Sequence, residues 1–441
     1  LARERSLASF TARQLTHLLD GGQEHTEHIE SIRRLLDREA VFDRIHSYHL
    51  NHEDMYLRGL QMMERFRALC VKHQWSSKDT AVAYREIYEG MPTILNDDLF
   101  VKTIKEQATD EQQARWLPLA TNWAILGCYA QTEMAHGSNV RGIETTATFL
   151  PESDELELNS PTLTSVKWWP GALGKTANVA LVMAQLVLAD GSRAGVFPFM
   201  VQIRSFADHK LLPGVETGDI GPKIGFNAID NGYLSLKNVR IPRSNMLMRH
   251  VELTRDGQLK RRGQNDQRHV YGTLLYARVN IVADAMMALA QGTTIATRYS
   301  LVRRQFSHAE SNSNAATEVV VLDHQSQQHR VLVPICEAYA FHFTGQRMHE
   351  LYRRLTSPGL SADTAAALLA KAHASASALK PYVTDVASHS LETLRRACGG
   401  HGYSRFSGLP DLFTFYVQFN TVEGENHIMA QQAARALLKR Y

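Results

Sequence analysis

A chain of 441 residues is too long for one ordinary hydrophobic core, so two or three domains are expected. Its 44% hydrophobic and 21% charged residues suit a globular protein with a buried core. The 48 basic and 45 acidic residues are spread along the chain and leave a net charge of only +3. That balance gives no reason to expect nucleic acid or a membrane surface as a partner, although a local basic groove for a phosphorylated ligand is compatible with it. The four cysteines, Cys70, Cys128, Cys336 and Cys398, form no CxxC pair, so a reducing compartment without disulfide frame or structural zinc is expected. No secretory signal opens the chain, and no unbroken run of about 18 apolar residues is there to span a bilayer. The chain starts at Leu1 and stops at Lys439-Arg440-Tyr441, so both ends are expected to be processed or artificial, and missing targeting signals carry little weight.

Residues 1–128 read as helical. Segments 54–73 and 79–90 mix apolar and charged residues at helical spacing, and Thr109-Asp110-Glu111-Gln112 has the form of a capping box. The texture changes after Cys128. From about 143 to 245, β-rich stretches alternate with turn residues, and the Asn178–Leu188 and Val196–Ile203 runs flank Ala189-Asp190-Gly191-Ser192 as the arms of a hairpin. Helices return at about 272, where Leu275, Val279, Val282, Met286 and Leu289 form one apolar stripe at steps of four and three. Further helices are predicted at about 322–355 and 361–397, with a last one from near Asn426. The segment 307–320 reads as a mobile loop. The fold class is therefore α+β, in three parts: helices over 1–128, a central antiparallel β-barrel-like domain over 129–271, and a helical bundle over 272–441.

Four stretches carry chemistry in combination. They are Tyr129-Ala130-Gln131-Thr132-Glu133-Met134-Ala135-His136-Gly137-Ser138, Lys167-Trp168-Trp169-Pro170-Gly171, Arg303-Arg304-Gln305-Phe306, and Cys398-Gly399-Gly400-His401-Gly402-Tyr403 followed by Glu423-Gly424-Glu425-Asn426. Each has a plainer reading alone, as a turn, a core tryptophan pair, a solvated helix end or a glycine turn. In this order around a β insertion they closely resemble the acyl-CoA oxidases of peroxisomes, relatives of the acyl-CoA dehydrogenases. Ile220-Gly221-Pro222-Lys223, Asp230-Asn231-Gly232-Tyr233 and Arg240-Ile241-Pro242 extend the likeness over nearly the whole chain.

The resemblance implies an FAD enzyme that oxidises a fatty acyl-CoA to the trans-2-enoyl-CoA and passes the electrons to dioxygen, giving hydrogen peroxide. It implies Glu423 as the base that removes the α-proton, because a weakly acidic carbon needs a positioned carboxylate. Glu425 competes for that role, but a carboxylate at a helix start complements the dipole, with Asn426 as a reasonable cap. Thr132, Trp169 and Gly171 are implied to meet the flavin. Arg303, Gly399 and Gly400 are implied to meet the FAD of a neighbouring subunit, which makes the active unit at least a homodimer. Dehydrogenases usually carry a hydroxyl side chain where Gly171 stands, and the missing side chain could leave room for dioxygen. Ala135, His427 and Arg396 depart from common family residues. The competing readings are a dehydrogenase that reduces an electron-transfer flavoprotein and a non-catalytic acyl-CoA-binding subunit. Family members continue into a second helical bundle and often end in a peroxisomal signal, so a fragment or processed chain is expected, with the peroxisome as its location by resemblance.

Overall fold

The computed structural model describes residues 2–262, 272–307 and 318–439, so most of the loop predicted at 307–320 lies outside the described residues. By compactness the chain divides into Leu1–Met91 and Pro92–Tyr441. The first unit is helical: α1 (Ala2–Leu7), α2 (Ala12–Asp20), α3 (Gln23–Leu36), α4 (His52–His73) and α5 (Ser77–Ile87). Thr11 and Ser76 close capping boxes with Gln14 and Asp79 at the starts of α2 and α5. The α4 residues Met62, Met63, Phe66 and Leu69 are buried, as are Ile32 and Leu36 of α3 and Ala83 and Ile87 of α5. An Arg33–Glu86 ion pair joins α3 to α5.

The second unit opens with a π-helical turn, Asn96–Phe100, that runs into α6 (Val101–Gln107) and then α7 (Asp110–Thr121). The capping box predicted at Thr109 and Gln112 is present. Eleven strands follow among the described residues: β1 (Gly127–Ala130), β2 (Thr146–Leu150), β3 (Glu155–Asn159), β4 (Lys167–Trp168), β5 (Val179–Val187), β6 (Arg193–Gln202), β7 (Val215–Asp219), β8 (Gly232–Leu236), β9 (Val239–Pro242), β10 (Val251–Leu253) and β11 (Leu259–Arg261). The predicted hairpin is β5–β6.

The long β5 organises the larger sheet. It pairs with β6 on one edge and with both β1 and β2 on the other, and β3 and β9 extend from β2. The sheet is mixed rather than wholly antiparallel, because β1 and β2 both run parallel to β5. Long connections from β1 and β2 to β5 permit this, since parallel strands need a crossover of a dozen or more residues. Side chains alternate along β5 with period two. Val179, Leu181 and Met183 pack with Phe100, Ile104 and Trp116 of the helical layer, whereas Ala180, Val182, Ala184 and Leu186 share a core with Val215, Leu234 and Leu236 of the small β4–β8–β7 sheet. Both faces of β5 are thus covered, which is why its sequence is a continuous apolar run.

The C-terminal part contains α8 (Gly272–Val302), α9 (Gln325–Leu355), α10 (Ala362–Ala397), the short α11 (Leu409–Tyr416) and α12 (Asn426–Leu438). Of the predicted α8 stripe, Leu275, Val279, Val282 and Leu289 are buried and Met286 is half-buried. By length and average composition α8 could cross a bilayer, although it holds no unbroken apolar run of that length. Its apolar character is accounted for by packing on α9 and α10.

One ion pair fixes the junction of the two sheets. Glu133 and Lys167 are both buried, with Nζ 3.0 Å from the carboxylate. The carboxylate also accepts from Thr145 N–H at 2.9 Å, Thr145 Oγ1 at 2.6 Å and Glu144 N–H at 2.8 Å. The Lys167 ammonium donates further to Gln131 O and Met183 O. Every buried polar group here has partners, the condition under which a buried pair is tolerated. Removing one partner leaves an uncompensated charge, so Lys167→Met is expected to cost about 3–5 kcal/mol. Chemical denaturation measures this, and a midpoint equal to wild type would contradict it.

Candidate active site

Glu423 lies in the turn between α11 and α12, and its backbone is left-handed (φ 56°), as is that of Gly424 (φ 101°). A side chain rarely adopts this conformation unless its surroundings impose it. Two cations do so. Arg278 of α8 donates through Nε to the Glu423 carbonyl at 2.9 Å, and Lys380 of α10 donates through Nζ to the Gly424 carbonyl at 2.7 Å. Gly424 is required twice over, since its φ suits glycine and a Cβ there would stand 2.6 Å from Met429 Sδ.

The side chain of Glu423 is held in an unusual state. Its Oε2 is buried and accepts no hydrogen bond. Burial raises the carboxyl above its ordinary range, while the charges of Arg278 and Lys380 oppose the rise. Tyr129 of β1 is near enough for the Glu423 charge to add to the upward push that burial gives its phenol. The turn therefore presents a carboxylate with one unbonded buried oxygen near Arg278 of α8, Lys380 of α10 and Tyr129 of β1.

Glu425 behaves differently. Its carboxylate accepts from the N–H of His427 at 2.9 Å and of Ile428 at 3.3 Å, capping α12. The hydrogen bond with the His427 ring, whose Nδ1 lies 3.0 Å from Oε1, holds its carboxyl low. Glu425, not Asn426, is thus the cap. Asn426 instead turns its amide inward to Lys380, Thr384 and Pro381.

Thr132 is half-buried three residues beyond Tyr129, and its carbonyl accepts from Trp168 N–H at 2.9 Å. The two motif strands are therefore bonded to each other next to the Glu133–Lys167 pair. Trp168 stacks on Tyr233, whereas Trp169 (φ 87°) is 54% exposed, an unusual state for so large an apolar ring. Asn231 donates to the Trp169 carbonyl at 2.7 Å, while its own Oδ1 is buried without a partner. A Cβ on Gly171 would overlap Leu95 Cδ1 and press on Ile229. The space that a side chain would take at 171 is thus filled by Leu95.

Arg303, Gly399 and Gly400 lie elsewhere. Arg303 is exposed just past the end of α8, and Gly399–Tyr403 forms a 3-10 turn after α10. Tyr299, in the last turns of α8, brings the two together, with its ring centroid 5.9 Å from that of His401. Gly399 (φ 57°) and Gly400 are exposed, and nothing lies within 4 Å of a Cβ built on Gly400. From Arg278 to Tyr299, α8 advances 1.5 Å per residue, so this cluster sits roughly 30 Å from the Glu423 turn.

Two family models match the chain: the acyl-CoA oxidase C-alpha1 domain over residues 271–438 and the acyl-coenzyme A oxidase N-terminal domain over residues 11–126. Peroxisomal acyl-coenzyme A oxidase 1 of Rattus norvegicus is 39% identical over 448 residues, covering 100% of this chain and 66% of the rat protein. The Arabidopsis thaliana acyl-CoA oxidase 1 structure is 40% identical with a TM-score of 0.94, again over 100% of this chain and 66% of that one. The chain belongs to the acyl-CoA oxidase family. Caenorhabditis elegans acyl-CoA oxidase-2, solved with FAD, ascaroside-CoA and ATP, is also similar, at 38% identity and a TM-score of 0.91 over 99% of this chain and 65% of that one. The chain spans about two thirds of the length of these relatives.

Sequence reasoning missed Arg278, Lys380 and Leu95. The two cations had a signal: each is a lone charge within an apolar or small-residue helix stripe, where charged residues are rarely tolerated unless paired. Leu95 had none. Its contact with Gly171 yields a test. Gly171→Ala is expected to cost about 1–3 kcal/mol through overpacking, and Leu95→Ala in the same chain should recover part of that. Strict additivity in the double-mutant cycle would show that the two do not press on each other.

Proposed function

We propose that this chain is the catalytic part of an FAD-dependent acyl-CoA oxidase, acting in the peroxisome on fatty acyl-CoA with dioxygen as electron acceptor. The observation that carries the reading is the Glu423 carboxylate, its Oε2 buried without a hydrogen bond, on a left-handed turn. The names of its relatives, all oxidases, support the acceptor.

The residues present suit FAD. Trp169 offers an exposed ring, Asn231 a buried acceptor without a partner, and Thr132 a half-buried hydroxyl on the segment that follows β1. Thr132, Trp169 and Gly171 would hold the ring end of the group, within the flavin-binding part over 129–271. FAD, when bound, supplies the two-electron acceptor that converts the saturated thioester to the trans-2-enoyl product and passes the electrons to dioxygen, giving hydrogen peroxide. Glu423 takes the α-proton. Burial makes its carboxylate more basic than one in water, and the charges of Arg278 and Lys380 oppose that rise.

Arg303, Gly399 and Gly400 are too far from the Glu423 turn to serve the same FAD. Their exposed guanidinium and open main chain suit the phosphates of a second FAD, held by a partner copy. The active unit is in this reading a homodimer.

The test is anaerobic. FAD-loaded protein mixed with palmitoyl-CoA should bleach, and admitting air should restore the flavin with stoichiometric peroxide. Glu423→Gln should keep FAD and lose about 10²–10⁴-fold in bleaching rate. Because the base acts ionised and its carboxyl is raised, the wild-type rate should climb with pH through a midpoint above the ordinary carboxylate value. Full bleaching by Glu423→Gln would remove the base assignment, and a flavin that stays reduced in air would remove the oxidase.

A further inference from the structure

Lys380 is fully buried on α10, on a face otherwise made of Ala376, Ser377, Val383, Thr384 and Ala387. A buried ammonium is costly unless its donors are satisfied. Here both acceptors come from the turn before and at the start of α12: the Gly424 carbonyl at 2.7 Å and Asn426 Oδ1 at 2.9 Å. Asn426 is itself fixed, donating to Thr384 Oγ1 at 3.0 Å and to Pro381 O at 3.3 Å, while Thr384 Oγ1 donates to Lys380 O at 2.8 Å. Pro381 lies inside α10 and lacks an N–H for the helix ladder. The Lys380 and Pro381 carbonyls take additional side-chain donors from Thr384 and Asn426, which closes the network.

We propose that Lys380 is a positioning residue for the base, holding the left-handed Glu423–Gly424 turn against α10 so that the carboxylate keeps its aim. The inference rests on Glu423 being that base. Arg278 makes the matching bond from α8, so two consecutive carbonyls each carry a cation from a different helix. The groups that face Glu423 are Arg278 from α8, Lys380 from α10 and Tyr129 from β1. Both cations lower the carboxyl against the effect of burial. Lys380 is itself pushed down to about 8, by burial and then by Arg278, with Glu423 and Glu425 opposing. A Lys380 variant without charge therefore alters both the geometry and the ionisation of the base, which a merely structural lysine would not.

The experiment compares wild type, Lys380→Met, Lys380→Arg and Glu423→Gln as FAD-loaded full chains, bleached anaerobically with saturating palmitoyl-CoA across pH. Lys380→Met should lose about 10²-fold in the first-order rate, the scale of a small misplacement of a reacting group. Its pH midpoint should move up while FAD content and the concentration of half-saturation stay near wild type. Lys380→Arg should restore the midpoint and part of the rate. Wild-type rate and midpoint in Lys380→Met, with Glu423→Gln inactive, overturn the positioning role and leave the base in place. Bleaching by Glu423→Gln overturns the base assignment instead. A slow Lys380→Met that sheds FAD at an unmoved midpoint marks a structural lysine and also overturns the proposal. If Lys380→Met does not fold, Asn426→Ala removes one of the two acceptors, and a wild-type rate in that variant overturns it equally.

Discussion

The Glu423 carboxylate stands on a left-handed turn with one oxygen buried and unbonded, and both features cost free energy that the surrounding helices supply. A non-glycine residue in that backbone region costs of the order of 1–3 kcal/mol. Arg278 and Lys380 offset the cost by gripping the two carbonyls that follow the side chain, and their charge also limits how far burial can protonate it. The same two bonds thus serve shape and ionisation together. Glu425 completes the arrangement by ending the turn as the α12 cap, which prevents the strained conformation from relaxing into the helix.

The long α8 sets the scale of the rest. Near its start Arg278 meets the base, and near its end Tyr299 meets the Gly399–Tyr403 turn, roughly 30 Å away. In the sheet region, the Glu133–Lys167 pair ties the segment carrying Thr132 to β4, which leads to Trp169. The flavin-side residues are therefore held by a satisfied buried ion pair, and the base by two cations on main-chain carbonyls. Rigid devices on both sides are what a proton transfer between fixed partners demands.

Much of this was legible in the sequence because it depends on local patterning. The long α8 follows from apolar spacing, β5 and β6 from β-rich runs around Asp190-Gly191, and the split between Glu423 and Glu425 from the chemistry of helix starts. What was not legible depends on pairs distant in the chain. The Gly424 carbonyl needs a donor, but nothing in Val422-Glu423-Gly424 says that it comes from Lys380, 44 positions away. Parallel pairing of β1 and β2 with β5 is likewise a decision about crossovers rather than about any strand's own residues. The same holds for Asn426, a reasonable cap on local grounds that tertiary contacts draw inward.

Gly171 shows how the two kinds of information combine. From sequence alone, a glycine where relatives carry a hydroxyl side chain suggests open space. In the fold that space is occupied by Leu95, one residue before the π-helical turn that leads into α6. The missing side chain therefore lets Gly171 approach Leu95 closely, two residues after the exposed Trp169. Room for dioxygen at this point would require Leu95 to move, so any link between Gly171 and the choice of acceptor runs through the mobility of Leu95 rather than through a standing void.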